Sequence, residues 1–217
     1  MIDTAAARRL MVDGQVRTAD VSNAALLDAM MTIPRERFLP PAQAPLAYAD
    51  IDVPIANSRV LLKPMVLAKL IQAAGVRDTE HVLDVACGTG YSSAVLARLA
   101  GSVIALEEDA ELARQAKEAL ASTRAERVTL ALGPLTAGWP TAAPYDVILI
   151  NGAIEVISPA LAHQLKPDGR LACVYGRPPA GKAMIYRMIE GRPVGRPAFD
   201  AAAPLLPDFV APPAFVF

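Results

Sequence analysis

Val82-Leu-Asp-Val-Ala-Cys-Gly-Thr-Gly-Tyr91 is the stretch whose reading decides the fold. The short apolar run at its start predicts a strand over His81–Val85, interrupted by one acid, Asp84. Gly88 and Gly90 follow as a turn in which the backbone can come close to a ligand, because no Cβ stands in the way. Tyr91 opens a helical pattern that runs to Ala100 and stops at Gly101. In a strand, glycine-rich turn and helix start, the first helical N–H groups point back at the turn. Such a turn is a cradle for a nucleotide-type ligand.

The acid selects among such ligands. A dinucleotide fingerprint needs a third glycine, and that position here is Ser93. Asp84 would repel a pyrophosphate but suits a cationic amino-acid end, such as that of S-adenosylmethionine (SAM). Asp84-x-Ala86-x-Gly88-x-Gly90 has the usual form of the first motif of SAM-dependent methyltransferases. Cys87, Thr89 and Tyr91 complete the predicted loop around the methionine part. The next strand, Ser102–Leu106, leads into Glu107 and Glu108, an acid pair placed to accept ribose hydroxyls. Glu107 is the first choice for that role and Glu108 its neighbour. An NAD-binding oxidoreductase is the competing reading, disfavoured by Ser93 and Asp84.

Outward from this centre the same rhythm repeats. Helices are predicted over Met65–Ala74, between Pro64 and Gly75, and over Asp109–Ala121. Strands are predicted over Arg127–Leu132, Tyr145–Ile150 and Arg170–Tyr175, with a helix from the cap Ser158 to about Leu165. Strands alternating with helices imply an α/β, doubly wound, Rossmann-like methyltransferase fold. Before it, Asp3 caps a helix to about Val16, and a second helical pattern runs from Ser22 to Pro34. Residues 38–64 are proline-rich but carry Phe38, Leu39, Tyr48, Ile51, Val53 and Ile55, so they should pack on the core instead of forming a linker. Residues 1–63 are thus read as an N-terminal segment and 64–217 as the SAM-dependent domain. After Tyr175, short β-like pieces at Met184–Ile189 and Ala214–Phe217 predict an antiparallel addition.

Composition narrows the function. Over 217 residues, 21 Lys+Arg against 22 Asp+Glu give a formal charge of -1, which disfavours coating a nucleic acid. Two cysteines, Cys87 and Cys173, and two histidines, His81 and His163, make neither a disulfide framework nor a metal-centred enzyme, so no metal is expected. The longest uncharged stretch, Val128–Tyr145, is broken by three prolines and two glycines, so no membrane span is expected. A cytoplasmic location fits these features. Cys87 reads as a small loop residue, and Trp139 as a packing residue.

Several segments together resemble the protein-L-isoaspartate O-methyltransferase family. They are Met11-Val-Asp-Gly-Gln15, Ala29-Met-Met-Thr-Ile-Pro-Arg-Glu-Arg-Phe38, Tyr48-Ala-Asp50, Val53-Pro-Ile55, the loop Val82–Val95, Gly138-Trp-Pro140, Pro144-Tyr-Asp-Val-Ile148 and Gln164-Leu-Lys-Pro-Asp-Gly-Arg-Leu171. The resemblance implies methyl transfer from SAM to the α-carboxylate of isoaspartyl residues in damaged proteins, leaving S-adenosyl-L-homocysteine. The ester then closes to a succinimide that reopens partly to normal aspartate. A carboxylate with a pKa of about 4 is already ionised at neutral pH, so no general base is required.

Two positions depart from the family. Where it has a serine that holds the substrate carboxylate, this chain has Leu62, within an acceptor side of Val60, Leu61, Leu62 and Asn151. Where it has an adenine-side aspartate, the segment reads Gly133-Pro134-Leu135. Arg59 or Lys63 could replace the missing donor. Two further readings follow: a SAM-dependent methyltransferase with another acceptor, using Asn151 and Glu155 as polar contacts, or a catalytically silent SAM-binding protein.

Overall fold

The computed structural model describes residues 3–56 and 58–212. Asp3 caps α1 (Thr4–Met11), its carboxylate accepting the N–H groups of Ala5 and Ala6. The helical path continues to Val16 in a wider, π-type turn. Met11 is buried, whereas its neighbour Leu10 faces solvent. Asn23 caps α2 (Ala24–Thr32), accepting from Leu26 N at 3.0 Å. A two-stranded hairpin follows, β1 (Val53–Ala56) and β2 (Arg59–Leu61), and then α3 (Pro64–Ala74), which ends at the left-handed Gly75.

The rest alternates as the pattern predicts: β3 (His81–Val85), α4 (Tyr91–Leu96), β4 (Ser102–Glu107), α5 (Ala110–Ser122), β5 (Val128–Leu132) and β6 (Tyr145–Ile154). A short α6 (Pro159–Ala162) leads to β7 (Leu165–Tyr175), and β8 (Lys182–Ile189) and β9 (Arg192–Asp200) close the sheet. The seven strands lie in the order β5-β4-β3-β6-β7-β8-β9. The first five are mutually parallel, and β8 and β9 run antiparallel. The chain works outward from β3 in one direction and then returns to lay β6 on its other side. That switch point is where open α/β sheets bind ligands, beyond the carboxyl ends of the strands.

The sheet has an apolar cluster on each face. One joins Met11, Val16, Leu26, Met30 and Phe38 of the N-terminal segment to Val66, Leu70, Tyr91 and Val95. The proline-rich segment is therefore part of the core, with Phe38 and Val53 essentially fully buried. The other cluster holds Leu83, Ile148, Ile150, Leu161 and, from the C-terminal segment, Leu206 and Phe209.

Two expectations need correction, and a third lies outside the described residues. The helix after Ser158 covers only Pro159–Ala162, and Ser158 Oγ donates to Thr136 O at 2.5 Å instead of capping it. Sheet pairing takes over early, with Tyr145 N donating to Gln164 O at 2.8 Å. The second antiparallel strand is Arg192–Asp200. Its Pro193, Gly195 and Pro197 hid the strand pattern, and an edge position tolerates them. The predicted piece Ala214–Phe217 lies outside the described residues. Among those residues no helix is long and apolar enough to cross a membrane.

Candidate functional site

The loop Ala86–Gly90 lies across the carboxyl ends of β3 and β4, Cys87 N donating to Leu106 O at 3.1 Å. Ala86, Gly88 and Gly90 all have positive φ, at 57°, 58° and 92°. A Cβ on Gly88 would stand 2.6 Å from Ile55 Cδ1, so the β1–β2 hairpin covers the loop closely.

Asp84 is wholly buried beneath this loop. Its carboxylate accepts from Ser92 Oγ at 2.7 Å, Ser93 Oγ at 2.5 Å and Asn151 Nδ2 at 2.7 Å. Ser93, which argues in the sequence against a dinucleotide site, thus anchors Asp84 together with Ser92, whose part the sequence reading missed. Asn151 also donates to Val85 O at 3.1 Å, which ties it to β3; the acceptor side expected of it is not its observed engagement. Burial pushes the Asp84 carboxyl up to about 6, although Ser93, Ser92 and Asn151 pull it back, and the charge of Glu107 adds to the rise. A folded pKa above the ordinary 3.8 means that the fold holds this proton more tightly than the unfolded chain. The stability so contributed is full below about pH 4 and lost as pH rises through about 6, an amount of about 3 kcal/mol. The unfolding free energy of the wild type relative to Asp84→Asn should fall by that order across this interval. Parallel pH profiles in chemical denaturation would show that Asp84 does not titrate this way.

Glu107 is also fully buried, at the end of β4. Oε2 accepts from Gly88 N at 2.8 Å, and Oε1 from Glu108 N at 3.0 Å and Asp109 N at 3.2 Å. Arg59 of β2 closes on the same carboxylate as a two-pronged fork, at 2.7 and 2.6 Å. The sequence suggests Arg59 as a donor but not this partner, 48 residues away. Lys63, the other suggested donor, lines a different cleft of about 530 Å³ with Lys182 and Asp200.

Other predicted residues are placed as follows. Thr89 Oγ1 donates to Phe38 O at 2.5 Å. The Tyr91 ring meets Phe38 edge-on and lies 4.8 Å from the Arg35 guanidinium. Both side chains therefore turn to the N-terminal segment. Cys87 is buried, and that burial pushes its thiol well up, so it is inert. Leu61 and Leu62 belong to the apolar core, and Leu62 O accepts from Arg35 Nη2 at 2.7 Å, so neither leucine lines an open acceptor pocket as expected. Val60 is half-buried. Glu155, read as a polar acceptor contact, is instead paired with Arg177 and accepts from Ala211 N.

At the segment Gly133–Leu135, expected to flank adenine, Gly133 N donates to Glu107 O at 2.9 Å, and the Trp139 ring packs over Gly133. Pro134 is exposed, whereas the Leu135 side chain is buried in the core. Glu108 is exposed beside them. Partial burial first, and then Asp208 of the C-terminal segment, push its carboxyl up to about 7. No motif signalled Asp208. Its segment is held on β6 by hydrogen bonds from Ala153 N to Pro204 O and from Leu206 N to Ala153 O.

These groups fit a nucleoside with a cationic amino-acid end. Glu107 has Oε2 held by the loop at Gly88 N and Oε1 held by Glu108 N and Asp109 N, and the loop adopts the left-handed turns that a close approach needs. A ribose at Glu107 requires Arg59 to give up its place.

Comparison with known proteins gives a consistent picture. The family model for protein-L-isoaspartate(D-aspartate) O-methyltransferase (PCMT) matches residues 7–186. A protein-L-isoaspartate O-methyltransferase of Methylorubrum extorquens (strain PA1) is 42% identical over 190 residues, 88% of this chain and 82% of that protein. One from Opitutus terrae is 37% identical over 198 residues, covering 91% and 84%. A solved protein-L-isoaspartate O-methyltransferase superposes with a TM-score of 0.80 at 22% identity, over 92% of this chain and 65% of that one. A Plasmodium falciparum structure described as a PCMT in complex with S-adenosyl-L-homocysteine gives 0.77 at 14% identity, over 94% and 97%. At these identities the two structures speak for the fold.

Proposed function

The chain belongs to the protein-L-isoaspartate(D-aspartate) O-methyltransferase family, and on that premise we propose that it methylates the carboxylate of isoaspartyl residues in damaged proteins, with SAM as the donor. The observation that carries this reading is the loop between the two buried acids Asp84 and Glu107, set at the switch point of the sheet. A different acceptor, a silent SAM-binding protein and an NAD enzyme are not favoured, given a family match over most of the chain.

SAM, when bound, supplies an electrophilic methyl group. Glu107 accepts the ribose hydroxyls, with Glu108 beside it. Gly88 and Gly90 let the backbone approach the methionine part, flanked by Ala86, Cys87 and Thr89. Asp84 is a positioning residue that works through Ser92, Ser93 and Asn151, and Tyr91 fixes the loop from behind. Gly133, Pro134 and Leu135 flank the adenine. The acceptor carboxylate is already ionised, so no side chain has to take a proton. What remains for the protein is alignment and the exclusion of water, and the β1–β2 hairpin across the loop suits the second task. Residues 1–63 thereby form the cover of a SAM-dependent domain spanning 64–217. A cytoplasmic repair role also agrees with two buried, unpaired cysteines.

The experiment is transfer of labelled methyl from SAM to an isoaspartyl peptide, with the aspartyl peptide as control. Labelling of the isoaspartyl peptide alone is the expected result. A folded sample that labels neither peptide would overturn the acceptor assignment.

A further inference from the structure

Arg35, Arg59 and Arg170 are the buried basic side chains among the described residues. Arg35 donates to the carbonyls of Ala47 and Leu62, and Arg170 is committed to Glu80. Arg59 alone of the three sits in the candidate cofactor site, its fork spread over both oxygens of Glu107. A guanidinium and a vicinal diol are alternative partners for one carboxylate, since each offers it two parallel donors. Gly88 N, Glu108 N and Asp109 N hold that carboxylate in place whichever partner it has.

The hairpin is built so that Arg59 can leave without the chain unravelling. Its base is fixed: Lys63 N donates to Asp52 Oδ1 at 2.8 Å, Leu62 O accepts from Arg35, and Val53 pairs with Leu61. Its far end is irregular, with a register shift between Pro54 and Ala56 and Ser58 at φ 56°. A guanidinium taken off Glu107 keeps only the partly exposed Glu108, 3.9 Å away, and has room for a closer carboxylate, because a buried charge without a close partner is costly.

We propose that Arg59 is an exchangeable ligand: the ribose of the cofactor displaces it from Glu107, and the freed guanidinium binds the isoaspartyl carboxylate of the acceptor. This rests on the acceptor assigned above. It gives the chain a carboxylate donor although Leu62 stands at the family's serine position and is buried. It also sets an order, in which cofactor binding prepares the acceptor site.

The test is calorimetric titration of wild type and Arg59→Ala with S-adenosyl-L-homocysteine, and then of each loaded protein with the isoaspartyl peptide. The two affinities should move in opposite directions. Arg59→Ala should bind S-adenosyl-L-homocysteine about tenfold tighter, since no ion pair has to be broken, and the peptide about tenfold weaker. Arg59→Lys, with its charge but no fork, should recover part of the peptide affinity. Wild type should bind the peptide better with S-adenosyl-L-homocysteine than without it. If Arg59→Ala does not melt cooperatively, Arg59→Gln takes its place. A variant that binds S-adenosyl-L-homocysteine no tighter than wild type overturns the exchange, and unchanged peptide affinity overturns the acceptor contact. A wild type that binds S-adenosyl-L-homocysteine yet labels no isoaspartyl peptide sinks the acceptor assignment, while the S-adenosyl-L-homocysteine comparison still decides the exchange at Glu107.

Discussion

Glu107→Ala is expected to weaken S-adenosyl-L-homocysteine binding by about 100-fold while the protein stays folded. Hydrogen bonds to a charged group contribute about 1.5–3 kcal/mol each, and a ribose presents two hydroxyls to this carboxylate. Their loss alone would exceed the factor stated. Part is returned, because the Arg59–Glu107 pair no longer has to be broken on binding. The substitution also strips acceptors from Gly88 N, Glu108 N and Asp109 N, which loosens the loop and Arg59 together. Glu107→Gln keeps one carbonyl oxygen for these donors and should lose less. Calorimetric titration of the three proteins checks this. An affinity for Glu107→Ala within threefold of wild type would remove the ribose from this residue.

Arg170→Met should do the reverse, sparing binding and damaging stability. Arg170 is buried and bonds both oxygens of Glu80, at 2.8 and 2.7 Å. It also donates to the carbonyls of Ala74 and Gly75, at the end of α3, and to Asp146 O at 3.3 Å. One side chain thus joins α3, the segment before β3, β6 and β7. Without Arg170 the buried Glu80 keeps only the Arg77 N–H at 2.9 Å and the exposed Arg77 guanidinium at 3.8 Å, and breaking such a buried pair costs about 3–5 kcal/mol. For a chain of this size each kcal/mol lowers the melting temperature by about 2–4 °C, so a fall of about 6–20 °C is expected in scanning calorimetry. Arg170 pairs in register with Val147, near the amino end of β6, and Val147 pairs with Val82, so Arg170 lies at the opposite end of the strands from the glycine-rich loop. Binding of S-adenosyl-L-homocysteine by the folded fraction should therefore stay close to that of wild type. A melting temperature within about 2 °C of wild type would show that Glu80 finds water or another cation instead.

The two arginines mark how far sequence reading reaches. Asp84, Gly88, Gly90 and Glu107 could be found because each lies in or just after a strand-turn-helix pattern, where local periodicity fixes the geometry. The pairing of Arg59 with Glu107 spans 48 residues and that of Arg170 with Glu80 spans 90. Composition and spacing carry no trace of such pairs, because they form only when separate elements pack. Leu62 shows the same limit. Its place in the chain puts it next to the acceptor side, but its side chain is buried in the core and its carbonyl is held by Arg35, 27 residues away. The C-terminal segment was misread for a related reason. Pro193 and Pro197 erase the strand signal, yet β9 forms because β8 offers an edge that needs few of its N–H groups.

By itself the sequence determined the alternation of strands and helices, the glycine-rich turn between two acids and, through family-specific segments, the type of reaction. These rest on short-range preferences and on side chains a few residues apart. Only the tertiary structure decided which face of the loop is covered and what the acids hold. Asp84 became an internal anchor because Ser92, Ser93 and Asn151 converge on it from two elements. Glu107 became a shared site because the hairpin brings a guanidinium onto a carboxylate already fixed by the backbone. Burial makes both outcomes decisive, since a charge taken out of water has to find partners wherever the fold supplies them.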